Sequence, residues 1–208
     1  MCFDSKSSLL AFTLAYSIAW YLFERDQNYD RWIAGFIIVF SSIQLLEAGI
    51  WKTMENPASH SADIKDFLTR LILLFFLLQT LMQSYLGYKY TNSSILGWMS
   101  IIFLGILIWG FYRIYTSYPG QFSSSVGNKG HLVWNDALSA GSFLGAVGIL
   151  YMIGLFLPPF FMKNGSGWPL ILIGAITALY SFWMTRNKEF GSLWCFTAVG
   201  IALVALFM

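Results

Sequence analysis

The chain has 208 residues, of which 57% are hydrophobic, 19% aromatic and only 11% charged, with a mean hydropathy of +0.63. That is more apolar surface than a soluble domain of this size can bury, so an integral membrane protein is expected, with no room for a separate soluble domain. The net charge of +2 and the scattering of its Lys and Arg residues between apolar stretches exclude the basic stripe of a nucleic-acid binder.

Seven apolar runs are interrupted by clusters of charge, Gly, Pro and Asn. They are too continuous for barrel strands, so the expected fold is an all-α polytopic bundle of seven transmembrane helices in one domain, residues 1–208. The amino terminus has neither a basic run nor a small-x-small cleavage pattern, so the first run, Ser8 to Phe23, is expected to be a retained span. Glu24-Arg25-Asp26 ends it, and the second span runs from Trp32 to Trp51. The third, Phe67 to Tyr88, follows a polar connection. A short turn, 89–94, joins it to the fourth, Ile95 to Tyr115, as an antiparallel hairpin. A stretch rich in Ser, Gly and Pro, Thr116 to Gly130, precedes a fifth span expected from Leu132 to Leu157, which Pro158-Pro159 should end or kink. Trp168 to Thr185 and Phe190 to Met208 complete the set.

With the end that holds the amino terminus designated side A, eight Lys and Arg residues fall on that side and four on side B. The positive-inside rule then assigns side A to the cytoplasm and the carboxyl terminus to the outside or lumen. Both Asn-x-Ser/Thr sequons, at Asn92 and Asn164, fall on side B, where they could be glycosylated. No internal repeat or inverted pair of broken helices is present, which weighs against many transporter folds. Small residues at helical spacing, Gly141, Gly145, Gly148 and Gly154 in the fifth span and Ala198, Gly200, Ala202 and Ala205 in the seventh, predict close helix packing, within the bundle or in a homo-oligomer.

An ionisable group inside a span costs about 2.5–3.5 kcal/mol on insertion scales, so each calls for a partner, a cavity or a function. Glu47 is the clearest case, with Gln44 one turn earlier on the same face; the pair could hold a proton or a cation, or tie two helices together. At the expected start of the fifth span, His131 and Asn135 lie four residues apart with Asp136 beside them, which reads as a polar face or as an ordinary helix start. Cys2, Glu47, His60, His131, Asp136 and Cys195 all fall towards side A, which suggests a polar vestibule open there and closed by aromatic-rich helices towards side B. Cys2, Glu47 and His131 have the chemistry to ligate a transition metal, although their spacing matches no recognised metal motif. Two cysteines give no disulfide framework, and Cys2 could be a membrane-edge thiol, a nucleophile, a ligand or an acylation site. A retinal protein needs a lysine within its last helix, and Phe190 to Met208 has none. Bis-histidine haem needs two intramembrane histidines, and His60 lies in a hydrophilic connection.

The opening Met1-Cys2-Phe3, together with Gln44-x-x-Glu47 and Trp51 in the second helix, resembles a family of small polytopic membrane proteins of unknown function found in bacteria and large DNA viruses. The likeness covers about the first quarter of the chain. Where that family usually reads Met-Cys-Phe-Ser, this chain has Asp4, with serine one position later. The resemblance implies that Cys2, Gln44, Glu47 and Trp51 matter together, and it supplies no activity. The residues themselves favour a channel- or transporter-like protein with an ion or proton site at Gln44 and Glu47 beneath His131 and Asp136. The alternatives are a metal- or thiol-dependent enzyme acting on lipid through Cys2, Glu47 and His131, and a structural or assembly protein of a membrane.

Overall fold

The computed structural model describes residues 4–57, 59–118, 120–128, 130–135, 142–185 and 190–208. Among these residues seven α-helices appear in chain order: α1 Ser5–Arg25, α2 Asp30–Glu55, α3 Ser61–Thr91, α4 Ser94–Tyr115, α5 Ser142–Phe156, α6 Trp168–Thr185 and α7 Phe190–Ala205. Local chemistry sets several boundaries. The Asp4 side chain accepts the Ser7 N–H at 2.7 Å and caps α1, and that hydrogen bond holds the exposed Asp4 carboxyl below its usual range. Asp26 and Asn92, both in the left-handed conformation, close α1 and α3 and allow the chain to reverse at once into the next helix. α5 ends at Phe156, just before Pro158, which has no N–H to continue the ladder, and a single 3₁₀ turn follows over Pro158–Phe161.

The expected fifth span is wrong at its amino-terminal end. Leu132–Asn135 is not helical: it forms a strand, β2, paired antiparallel with β1, Ser123–Val126, from within what reads in sequence as a plain connection. Gly130, with φ of 81°, supplies the left-handed residue that the reversal needs. A four-residue apolar run containing Val and Trp suits a half-buried strand as well as a helical turn, and the pairing decides between them. His131 and Asn135 are therefore not one turn apart on a helix face.

Hydrogen bonds identify which helix ends lie together. At the end holding the start of α1, Ser5 donates through its backbone N–H and its hydroxyl to Glu55 at the end of α2, at 3.0 and 2.8 Å. At the other end, Arg25 of α1 reaches Asp30 of α2 and the carbonyls of Ala205 and Leu206 after α7, while the Tyr29 hydroxyl accepts the Lys163 N–H. The chain's two ends thus lie on opposite sides of the bundle, and Asn92 and Asn164 share side B, as the alternation of seven helices requires.

The main core joins α1, α2 and α7. Ala15 and Ala19 meet Ala202 and Ala205 in one fully buried cluster with Trp32, Ile33 and Ile37, so the small-residue face of α7 is used inside the bundle. Gly154 of α5 lies so close to Thr80 and Phe103 that a Cβ there would stand 2.7 and 2.6 Å from them. α4 packs mainly on α3 and turns large apolar side chains outward, with Trp98 68% and Ile108 62% exposed; Leu179 and Trp183 of α6 do the same. Among the described residues α2, α3 and α4 are long and apolar enough to cross a membrane, and Gly148–Phe161, Trp168–Met184 and Gly191–Ala205 are apolar but shorter.

Candidate functional site

Residues 40, 43, 44, 47, 50 and 51 recur at helical spacing along the inner face of α2, and all are buried. Glu47 is completely enclosed. Gln44 donates through Nε2 to Glu47 Oε2 at 2.7 Å, so the pair expected from sequence is formed. The other carboxyl oxygen, Oε1, is buried without a hydrogen bond, and no ion pair to Glu47 occurs among the described residues. Ser192, near the start of α7, lies against the carboxyl, although its hydroxyl makes no hydrogen bond of ordinary geometry. A buried carboxyl without a cation either carries a proton or binds a positive ion.

The β-hairpin covers this group on side A. Leu132 joins Ile43, Ile50 and Trp51 of α2, which bracket Glu47, and Cys195 of α7 in one buried cluster. Trp134 lies over the start of α7, where a Cβ on Gly191 would stand 2.5 Å from its ring. The indole N–H groups of Trp51 and Trp134 are both buried and find no hydrogen-bond partner among the described residues. Asp66 and Arg70, one turn apart on α3, moor the hairpin. Asp66 Oδ1 accepts the N–H groups of Gly120 and Phe122 at 3.0 and 3.1 Å. Arg70 donates to Asp66 at 2.6 Å and to the carbonyls of Ile114 and Tyr118, and its guanidinium stands 4.6 Å from the centre of the Phe122 ring. Thr69 and Ser124 are joined hydroxyl to hydroxyl at 2.6 Å.

Towards side B the site is walled by aromatic rings. Trp194 meets Phe40 and Tyr151 edge-on at 5.9 and 6.1 Å, and stacks with Phe156 at 6.2 Å. Phe40 is seven residues before Glu47, about 10 Å along the helix. Beyond this wall is a cavity of about 30 Å³, lined by residues that include Trp32, Phe36, Gln83, Pro159, Met162 and Trp194.

Of the residues singled out from sequence, Gln44, Glu47, Trp51 and Cys195 converge in this region. His131 is buried in the hairpin, next to Leu132. His60 is not in the site: it is 82% exposed in the connection before α3, 3.7 Å from Asp63. Cys2 and Asp136 lie outside the described residues. Among the described residues no three His, Cys, Asp or Glu side chains are grouped closely enough to hold a metal ion. Ser192 and the hairpin were not anticipated. Nor was the buried polar stripe of α3, Gln79, Thr80, Gln83 and Ser84, although its three- and four-residue spacing is visible in the sequence. Comparison with protein-family models, curated proteins and solved structures gives no match for this chain.

The close seat of Trp134 on Gly191 gives a direct test of the hairpin as the cover of Glu47. Gly191→Val should displace the indole and raise the rate at which a water-soluble carbodiimide labels Glu47, followed by mass spectrometry, by about tenfold. An unchanged rate would show that the hairpin does not control access.

Proposed function

We propose that the chain is an integral membrane protein, with its amino terminus on the cytoplasmic side, that takes up and releases a proton or cation at Glu47 in the course of transport. The outward-facing apolar surface of α4 and α6 supports the bilayer as its solvent, because large apolar side chains over whole helix faces are unfavourable in water. The observation that carries the functional reading is the enclosed Glu47 carboxyl, satisfied on one oxygen by Gln44 and unsatisfied on the other. A carboxyl retained solely for packing would be expected to have both oxygens tied to neighbouring helices.

The resemblance noted in the sequence fits this reading. Gln44, Glu47 and Trp51 occupy one face of α2 and share one neighbourhood. Asp4, in the position of the family's serine, is the N-cap of α1, a place that serine also fills well.

In proteoliposomes, Glu47→Gln keeps the shape and the hydrogen bonding of the site and removes its dissociable proton. Ion or proton flux should fall by about 10²-fold or more, while elution as a single species and helix content stay as in the wild type. Flux equal to wild type in that variant rejects the reading.

A further inference from the structure

We infer that the outward groove between α3 and α4 on side B is a binding site for a sterol, a rigid fused-ring lipid with one hydroxyl; this rests on the bilayer half of the reading above and not on transport at Glu47. The left-handed residue Asn92 reverses the chain between the two helices. On their outer side Leu81, Tyr85 and Tyr88 of α3, together with Gly97, Trp98 and Leu104 of α4, line a groove of about 480 Å³. That volume lies within the range of roughly 300–1,000 Å³ typical of small-molecule sites. Gly97 is held against the neighbouring helix, since a Cβ there would stand 3.3 Å from the Tyr88 ring. Trp98 and Ile101 project beside it, both exposed. From Ser94 to Leu104 the groove runs along α4 for about 15 Å, which is one leaflet of a hydrocarbon core about 30 Å thick.

The polarity of the groove selects its occupant. Tyr88 and Ser94 lie at the end next to the turn, and Leu81 and Leu104 at the end towards the middle of the bundle. One end is therefore polar and the other apolar, which suits a lipid lying along the bilayer normal with a small polar group at the surface. Leu81, Tyr85 and Lys89 follow one another at four-residue spacing on α3, the Leu-Tyr-Lys order proposed for sterol contacts. A phosphate headgroup calls for a cluster of cations. Lys89 is the one Lys or Arg in residues 81–104, and Arg31 at the start of α2 is engaged by Asp26 at 2.8 Å. A flexible acyl chain loses rotational freedom at each bond when laid against fixed walls, whereas fused rings have little to lose. Where both lipids meet the groove, that difference favours the rings. A second copy of this chain would need close backbone approach over Gly97 and Ser100, and the projecting side chains of Trp98 and Ile101 hold it off.

The test is photocrosslinking in phosphatidylcholine nanodiscs with a photoactivatable, alkyne-bearing cholesterol, the labelled peptides being located by mass spectrometry; a photoactivatable phosphatidylcholine is run in parallel. Cholesterol label should concentrate in residues 81–104, saturate, and be displaced by unlabelled cholesterol. Trp98→Ala removes one wall and Gly97→Phe fills the floor, and each should cut that labelling at least about tenfold, with elution and helix content unchanged. Leu179→Ala, on the outward face of α6, should leave it as in the wild type. Label spread equally over α4 and α6 and not displaced by cholesterol is ordinary bilayer contact and overturns the site. Equal labelling of the groove by the phosphatidylcholine probe, displaced by phosphatidylcholine, overturns the choice of a sterol. Crosslinks between two copies across α4 assign the groove to a homo-oligomer and overturn it as well. These three outcomes leave the bilayer reading standing. Protein that stays monodisperse in water without detergent or nanodisc removes that reading and the sterol site together.

Discussion

Oxidising a cysteine pair at positions 69 and 124 should stop flux reversibly. In a Cys2→Ser background, Thr69→Cys and Ser124→Cys place two thiols where hydroxyl oxygens now stand 2.6 Å apart, on α3 and β1. A disulfide needs its sulfurs about 2.05 Å apart and adjacent Cβ atoms, so the pair is within reach of a small adjustment. The hairpin is otherwise held by groups that can release and reform: two N–H groups on Asp66, carbonyls on Arg70 and a guanidinium over Phe122. Leu132 shares a buried cluster with Ile43, Ile50 and Trp51 of α2, which bracket the enclosed Glu47. If Glu47 exchanges a proton or cation with side A, as proposed, the hairpin or its strand β2 has to lift, a gating motion of the kind that sets the rate in many proteins with lids. The oxidised pair should therefore reduce flux by at least about tenfold, and dithiothreitol should restore it in the same vesicles, which separates locking from misfolding. Full flux in the oxidised protein, with the bond verified by mass spectrometry, would place the entrance elsewhere.

The helical class was legible from composition because seven long apolar runs admit few other solutions, and six of the seven elements lie where the runs do. Glu47 was legible because a carboxyl within an apolar run is costly and therefore rare, and Gln44 because helical periodicity puts i and i+3 side by side. The hairpin was not. Leu132-Val-Trp-Asn135 is short, and its state is decided by pairing with Ser123–Val126, a tertiary fact that local periodicity does not contain. Ser192 was hidden for a related reason: its place beside Glu47 depends on how α7 packs against α2. The stripe from Gln79 to Ser84 was available in the spacing, but amides and hydroxyls cost less in an apolar run than carboxylates do, so they stood out less.

Arg25→Ala is expected to be the most destabilising substitution on side B, by about 3–5 kcal/mol, because it leaves a buried carboxylate without its cation. Arg25 binds both oxygens of Asp30 at 2.7 Å, and its remaining N–H groups reach the carbonyls of Ala205 and Leu206 at 3.3 and 2.9 Å. One side chain thereby joins the ends of α1, α2 and α7, the three helices of the main core. The Asp30 side chain is 4% exposed and would retain only the Gln27 N–H, at 2.9 Å. Asp30→Ala should cost less than Arg25→Ala, since the guanidinium keeps its two carbonyls and is itself more exposed, at 15%. Arg25→Lys should fail to rescue, because an ammonium cannot bridge two carboxylate oxygens and two carbonyls at once. The double alanine variant should be closer to Asp30→Ala than to the sum of the singles, since each change removes the same bond. Unfolding of detergent-solubilised protein, measured by circular dichroism across a denaturant series, gives all four values. An Arg25→Ala unfolding curve that coincides with wild type would show that this clasp is solvated and holds little.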